Sequence, residues 1–211
     1  MGLPLFGQIT EVTYVLPAVT GMWRYRKLSA PIKIIAILIV LVCLESALEI
    51  VAAHVLHYSN FVSNSFEIVE FGMLWAAFGL YVTDRRTRLL FAALAAPFII
   101  LFFLRLPSMY NPAVVAEETS VVSRVILIAL SVITLHSLLE RGTSNIVSVP
   151  MFWVLLGVLL YSAGTMVVMG LANRLLKLGV PYFEMAWRVN WLLLVVQNVL
   201  YTKAFLCNQP R

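Results

Sequence analysis

Long apolar runs alternate with short polar connections along the whole chain. Seven runs can be delimited, and each has about the 20 residues that an α-helix needs to cross the hydrocarbon core of a bilayer. They cover residues 5–23, 31–55, 61–82, 88–107, 116–139, 150–173 and 183–206. The pattern predicts an all-α, polytopic membrane protein: a seven-transmembrane-helix bundle that forms a single domain over residues 1–211.

Charged positions recur inside these runs at helical spacing. Glu45 and Glu49 are four residues apart in the second run, and Glu67 and Glu70 are three apart in the third. Ionisable residues at membrane depth are costly and mark functional sites by default. At about 1.5 Å per residue, these positions fall in one layer in the outer half of the bundle. The residues that we predict to bind a ligand there are Glu11, Glu49, Glu67, Glu70, Arg124, Arg188 and Trp191.

Carboxylates outnumber basic groups in this layer. Five glutamates, with Glu11 and Glu45 among them, face only Arg124 and Arg188. The surplus must be protonated, hydrated or neutralised by a ligand, so a polar pocket open to the outside is expected. The alternative is that both arginines simply clamp helices together. On either account, Arg124 should pair with Glu49, Glu67 or Glu70.

The composition excludes several classes of protein. Hydrophobic residues make up 62% of the chain, charged residues only 12%, and the mean hydropathy is +0.94. A soluble domain carries roughly twice that share of charge. These values exclude a soluble enzyme, a nucleic-acid-binding domain and a disordered tail. Cys43 and Cys207 lie in separate apolar runs, so no disulfide framework is indicated.

The distribution of basic residues predicts the orientation. The first, third and fifth connections and the C-terminal end hold ten of the fifteen Lys and Arg residues: Arg24, Arg26, Lys27, Lys33, Arg85, Arg86, Arg88, Arg141, Lys203 and Arg211. The positive-inside rule then places the N-terminus outside and the C-terminus in the cytoplasm. Arg174 and Lys177, assigned to the sixth connection, argue mildly the other way.

No motif for a metal or cofactor is found. His54 and His57 lie near several glutamates but form no His-x-x-x-His or Glu-x-x-His pair, so no metal site is predicted. Lys203 is the only lysine of the seventh run, and it lies near the cytoplasmic end, where it suits a topology anchor better than a retinal attachment site. We therefore expect no cofactor.

Three loose motifs carry a resemblance. They are the stop Trp23-Arg24-Tyr25-Arg26-Lys27, the acidic second and third helices with Glu49 and Phe66-Glu67-x-x-Glu70-Phe71, and Phe152-Trp153 followed by Tyr161-Ser162-x-Gly164. With them the chain resembles a family of small, uncharacterised bacterial seven-helix membrane proteins. The resemblance implies a sensor or receptor that works beside separate kinases.

Three functions fit these patterns. The first is a receptor or sensor in the bacterial inner membrane that binds a small molecule in the outer pocket and signals to a cytoplasmic partner; no nucleic acid is expected as a partner. The second is an integral-membrane enzyme that acts on a lipid or isoprenoid, with Glu45, Glu67 and Glu70 as candidate acids. The third is a small transporter. An enzyme should open laterally to lipid, whereas a receptor pocket should open to the outside.

Overall fold

A computed structural model describes residues 10, 12–56, 60–82, 84–109, 117–141 and 145–207. This part of the chain contains seven α-helices and no strand. The helices are α1 (Val15–Arg24), α2 (Ala30–Leu56), α3 (Asn60–Tyr81), α4 (Arg85–Met109), α5 (Glu117–Glu140), α6 (Pro150–Leu178) and α7 (Val180–Leu206). The all-helical prediction is confirmed for the described residues.

Five of these helices are long and apolar enough to cross a membrane: α2, α4, α5, α6 and α7. They indicate an integral membrane protein. The described part of α1 has ten residues, and residues 5–9 and 11 of the first predicted run lie outside the described residues. The 22 residues of α3 include several polar side chains, which lower its hydropathy.

Helix boundaries follow local chemistry. Pro150 and Pro181 stand in the first turns of α6 and α7, where a missing N–H costs no hydrogen bond. Asp84 caps α4, because its Oδ2 accepts hydrogen bonds from the backbone N (2.9 Å) and the Oγ1 (3.0 Å) of Thr87. These hydrogen bonds to the charged form lower the pKa of the Asp84 carboxyl.

One boundary differs from the prediction. Arg174 and Lys177, assigned to the sixth connection, lie within α6, which continues to Leu178. The helix ends at Gly179, whose φ of +126° is a backbone conformation that residues with a Cβ rarely adopt. At about 1.5 Å per residue, α6 is longer than the thickness of the hydrocarbon core. Its last turns can therefore extend past the core, where Arg174 and Lys177 are not buried in lipid.

The helices pack as a closed ring. Contacts run from α1 to α2, α3, α5, α6, α7 and back to α1, while α4 packs against α3 and α5. One half of the bundle is filled by apolar side chains from the start of α2 and α6 and the end of α3 and α7. Aromatic pairs such as Phe71 and Phe98, with ring centroids 4.2 Å apart, join α3 to α4. The opposite half contains a cavity.

Candidate functional site

A cavity of about 420 Å³ lies between the helices of the ring. The residues around it come from Tyr14, just before α1, and from α2, α3, α5, α6 and α7. Its charged and amide side chains are Glu45, Glu49, Glu67, Glu70, Arg124, Asn64, Asn190 and Gln197. Its aromatic side chains are Tyr14, Phe66, Tyr161, Phe183, Trp187, Trp191 and Tyr201. The structure thus brings the predicted carboxylate layer together around one space.

Arg124 forms a two-pronged ion pair with Glu70. Its Nη1 and Nη2 donate to Oε1 and Oε2 of that carboxylate, both at 2.8 Å. The guanidinium also lies over the Tyr161 ring, 5.1 Å from the centroid. Because Arg124 is only 8% exposed, burial strengthens this attraction. The predicted pairing of Arg124 with one of three glutamates is confirmed.

The same pair bears on the enzyme hypothesis. Both oxygens of Glu70 accept hydrogen bonds from the Arg124 guanidinium, so the Glu70 side chain is fully engaged in this ion pair. A carboxylate in that state does not serve as the proton donor that carboxylic-acid catalysis requires. Of the three candidate acids, only Glu45 and Glu67 are compatible with that role.

Glu67 is the most enclosed of the cavity carboxylates, with 7% of its surface exposed. Its Oε1 accepts a hydrogen bond of 2.7 Å from Ser123 Oγ on α5. Its Oε2 is buried and has no hydrogen-bond partner among the residues that the structure describes, and the same holds for Arg124 Nε. Buried polar atoms are nearly always paired, so these two atoms are exceptions among the residues around the cavity.

Glu45 and Glu49 supply the α2 side of the wall. Both are half-buried, and Ser63 Oγ of α3 donates a hydrogen bond to Glu49 Oε1. Arg124 is the one basic residue that borders the cavity within the described part of the chain. The wall therefore carries four carboxylates and one guanidinium.

The structure adds polar groups that the sequence did not single out. Thr165 Oγ1 donates to Asn190 Oδ1 at 2.6 Å and thereby joins α6 to α7. Gln197 Nε2 donates to Tyr201 Oη at 2.9 Å at the floor of the cavity. Asn190, Gln197 and Tyr201 recur at spacings of seven and four, which is helical periodicity. This helical spacing was the sequence feature from which these three polar residues could be predicted.

One predicted ligand-binding residue does not border the cavity, and another lies outside the described residues. Arg188 is exposed and does not border the cavity, so the expectation that it lies on the interior face of α7 is wrong. Packing turns the face with Trp187 and Trp191 inward, and Trp191 is 6% exposed at the cavity wall. Glu11 lies outside the described residues.

Chemically, the cavity can enclose a small molecule with polar ends and an apolar body. Its volume is within the range of small-molecule sites, which are about 300–1,000 Å³. Its walls offer hydrogen-bond acceptors, two indole rings and amide groups. No family model, characterised protein or solved structure matches this chain.

Proposed function

We propose that the protein is a receptor- or sensor-like membrane protein that binds a small molecule in the cavity of its helix ring. The observation that carries the proposal is the cavity of about 420 Å³, which the described residues line with four carboxylates, one arginine and several aromatic rings. A bundle that needed only packing would fill this space with apolar side chains, as the other half does.

The proposal includes the topology. We propose that α1 and α3 also cross the membrane, which gives seven spans, and that the basic end faces the cytoplasm of a bacterial cell. At that end, Arg24 Nη1 donates to Leu206 O and Arg141 Nη2 donates to Tyr81 O, both at 2.5 Å. These contacts support the alternation of helix directions, because they join the ends of α1 and α7 and of α3 and α5. The cavity then opens toward the outside.

Access to the cavity favours a receptor over a lipid-modifying enzyme. Neighbouring helices around the cavity from α2 to α7 are in contact (α2 with α3, α3 with α5, α5 with α6 and α6 with α7), which supports entry from the end of the bundle over entry between them from the lipid. A ligand that touches α2, α3 and α7 together would favour one arrangement of these helices. Such a shift could be passed to a partner protein at the basic end.

The test is ligand-dependent thermal stability of the purified protein in detergent. Amino acids, amines, carboxylic acids and sugars are added singly, and unfolding is followed by tryptophan fluorescence. A compound that binds only the folded state stabilises it by about 2.7 kcal/mol at a hundred times its Kd. At least one compound should raise the Tm of the wild type.

Two variants locate the effect. Glu67→Gln changes a cavity carboxylate, whereas Glu140→Gln makes the same chemical change at an exposed position near the opposite end of α5. We expect the shift to persist in Glu140→Gln and to be reduced in Glu67→Gln. No shift with any compound, or equal shifts in both variants, would contradict binding in this cavity.

A further inference from the structure

The charge of the cavity wall points to the class of ligand. We infer that the cavity binds an organic primary ammonium ion, an inference that rests on the proposed function. Among the described residues, Arg124 brings the one guanidinium to the wall. It gives two hydrogen bonds to Glu70 through Nη1 and Nη2, and only its Nε lacks a partner there, while Glu45, Glu49 and Glu67 also border the space. A cationic ligand lowers the repulsion among these carboxylates, and an anionic ligand raises it.

Glu67 identifies the group that the ligand presents. Its Oε2 is buried without a hydrogen-bond partner among the described residues, although its Oε1 is bonded to Ser123. A carboxylate oxygen accepts hydrogen bonds, so the partner that Oε2 lacks is a donor. Oε2 is closed to the cavity in this structure, so the Glu67 carboxylate must turn toward the ligand to receive that donor. A primary ammonium group provides three N–H donors and a positive charge, and hydrogen bonds between charged groups are the strong ones.

The aromatic walls indicate that the cation is organic. Trp187 and Trp191 border the cavity from α7, and Phe66 borders it from α3. Indole faces attract cations and also cover apolar carbon chains. Among the described residues, no three His, Cys, Asp or Glu side chains converge closely enough to hold a metal ion. The wall thus favours an amine with a hydrocarbon body over a bare metal cation.

The experiment compares ligands that have the same carbon frame but differ in charge. Three carbon frames (butyl, 2-phenylethyl and 2-(indol-3-yl)ethyl) are each tested as the amine, the alcohol and the carboxylic acid at neutral pH. Binding to the wild-type protein in detergent is measured by thermal shift and by isothermal titration calorimetry. We expect the amine of at least one frame to bind at least tenfold more tightly than its alcohol and its acid.

Variants then test the contact with Glu67. Glu67→Gln keeps the shape and the acceptor for Ser123 but removes the charge, so amine affinity should fall by about ten- to a hundredfold. If Glu67→Gln does not fold, Glu49→Gln provides the second test, and a smaller loss of affinity is expected because Glu49 is only half-buried. Glu140→Gln is the matched control and should bind amines like the wild type.

The outcomes separate this inference from the proposed function. If alcohols or acids bind as tightly as the amines, or if Glu67→Gln or Glu49→Gln binds amines unchanged, the ammonium inference is wrong, while binding in the cavity stands. If none of the nine compounds binds, the inference is also overturned, and the wider panel of compounds decides the proposed function on its own.

Discussion

Arg124 belongs to the one buried ion pair among the residues that the structure describes. It is buried, it contributes two hydrogen bonds to Glu70, and it faces the ring of Tyr161. The exposed pair of Arg105 and Glu118 provides a contrast, because its side chains are 50% and 63% exposed. Water screens the charges of an exposed pair, so the loss of one partner costs little. A buried charge that loses its partner has no water to replace it, so the loss costs much more.

The two pairs should respond differently to loss of a carboxylate. We predict that Glu70→Gln lowers the free energy of unfolding by about 3 kcal/mol, since Arg124 keeps its charge but loses its counterion. Glu118→Gln should cost less than about 1 kcal/mol. Denaturant unfolding in detergent measures both values.

Coupling provides the control for the buried pair. In the double variant Arg124→Gln/Glu70→Gln, neither member of this pair is left without the other, so the combined loss should be smaller than the sum of the single losses. Additive losses would show that Arg124 and Glu70 do not stabilise the bundle through each other.

At the scale of elements, the contact between α6 and α7 is unusually close. A Cβ built at Gly164 would lie 2.0 Å from Leu193 Cδ1, and one built at Gly157 would lie 3.2 Å from Tyr201 Cε1. Glycine at these positions lets the two helices approach, as small residues do in membrane bundles. Since Asn190 and Tyr201 lie along the same contact, it also shapes the cavity.

A single methyl group tests this contact. We predict that Gly164→Ala lowers the free energy of unfolding by about 1 kcal/mol, because overpacking costs about 1–3 kcal/mol and better helix propensity returns about 1 kcal/mol. Gly72→Ala is the matched control: nothing lies within 4 Å of its Cβ, so it should be neutral or stabilising. If both variants had the same stability, close packing at Gly164 would not matter.

At the scale of the whole molecule, the basic residues and the cavity are separated along the length of the bundle. Of the basic residues that we assign to the cytoplasm, those that the structure describes lie at the apolar end of the bundle, and the cavity lies at the other end. The proposed orientation therefore exposes the cavity to molecules outside the cell. It also leaves the Lys- and Arg-rich end for a cytoplasmic partner.

Cysteine labelling in intact cells tests this orientation. In a chain with Cys43→Ala and Cys207→Ser, we introduce either Ser29→Cys or Tyr182→Cys, at exposed positions near opposite ends of the bundle. An impermeant maleimide should label Tyr182→Cys in intact cells and Ser29→Cys only after lysis. Labelling of Ser29→Cys from outside would reverse the topology and place the cavity on the cytoplasmic side.

The sequence alone determined which segments are helical, because burial in lipid depends on the composition of each run and not on its neighbours. The described helices α2 to α5 and α7 begin and end within about three residues of the predicted runs. Depth along each helix also follows from residue number, and this was enough to predict that the partner of Arg124 is one of three glutamates, of which the structure gives Glu70.

The rotation of each helix was decided only by the tertiary structure. Arg188 and Trp191 are three residues apart, close enough on a helix to be assigned to one stripe, yet only Trp191 borders the cavity. The helices packed against α7 determine which of its faces turns inward. Sequence periodicity alone does not distinguish residues at the centre of that face from residues at its edge. The enclosed volume and the unsatisfied Oε2 of Glu67 likewise depend on side chains from five helices at once. Residue types and their spacing therefore predicted that the charged residues lie at one depth. The packing of the helices decided that these residues surround a cavity.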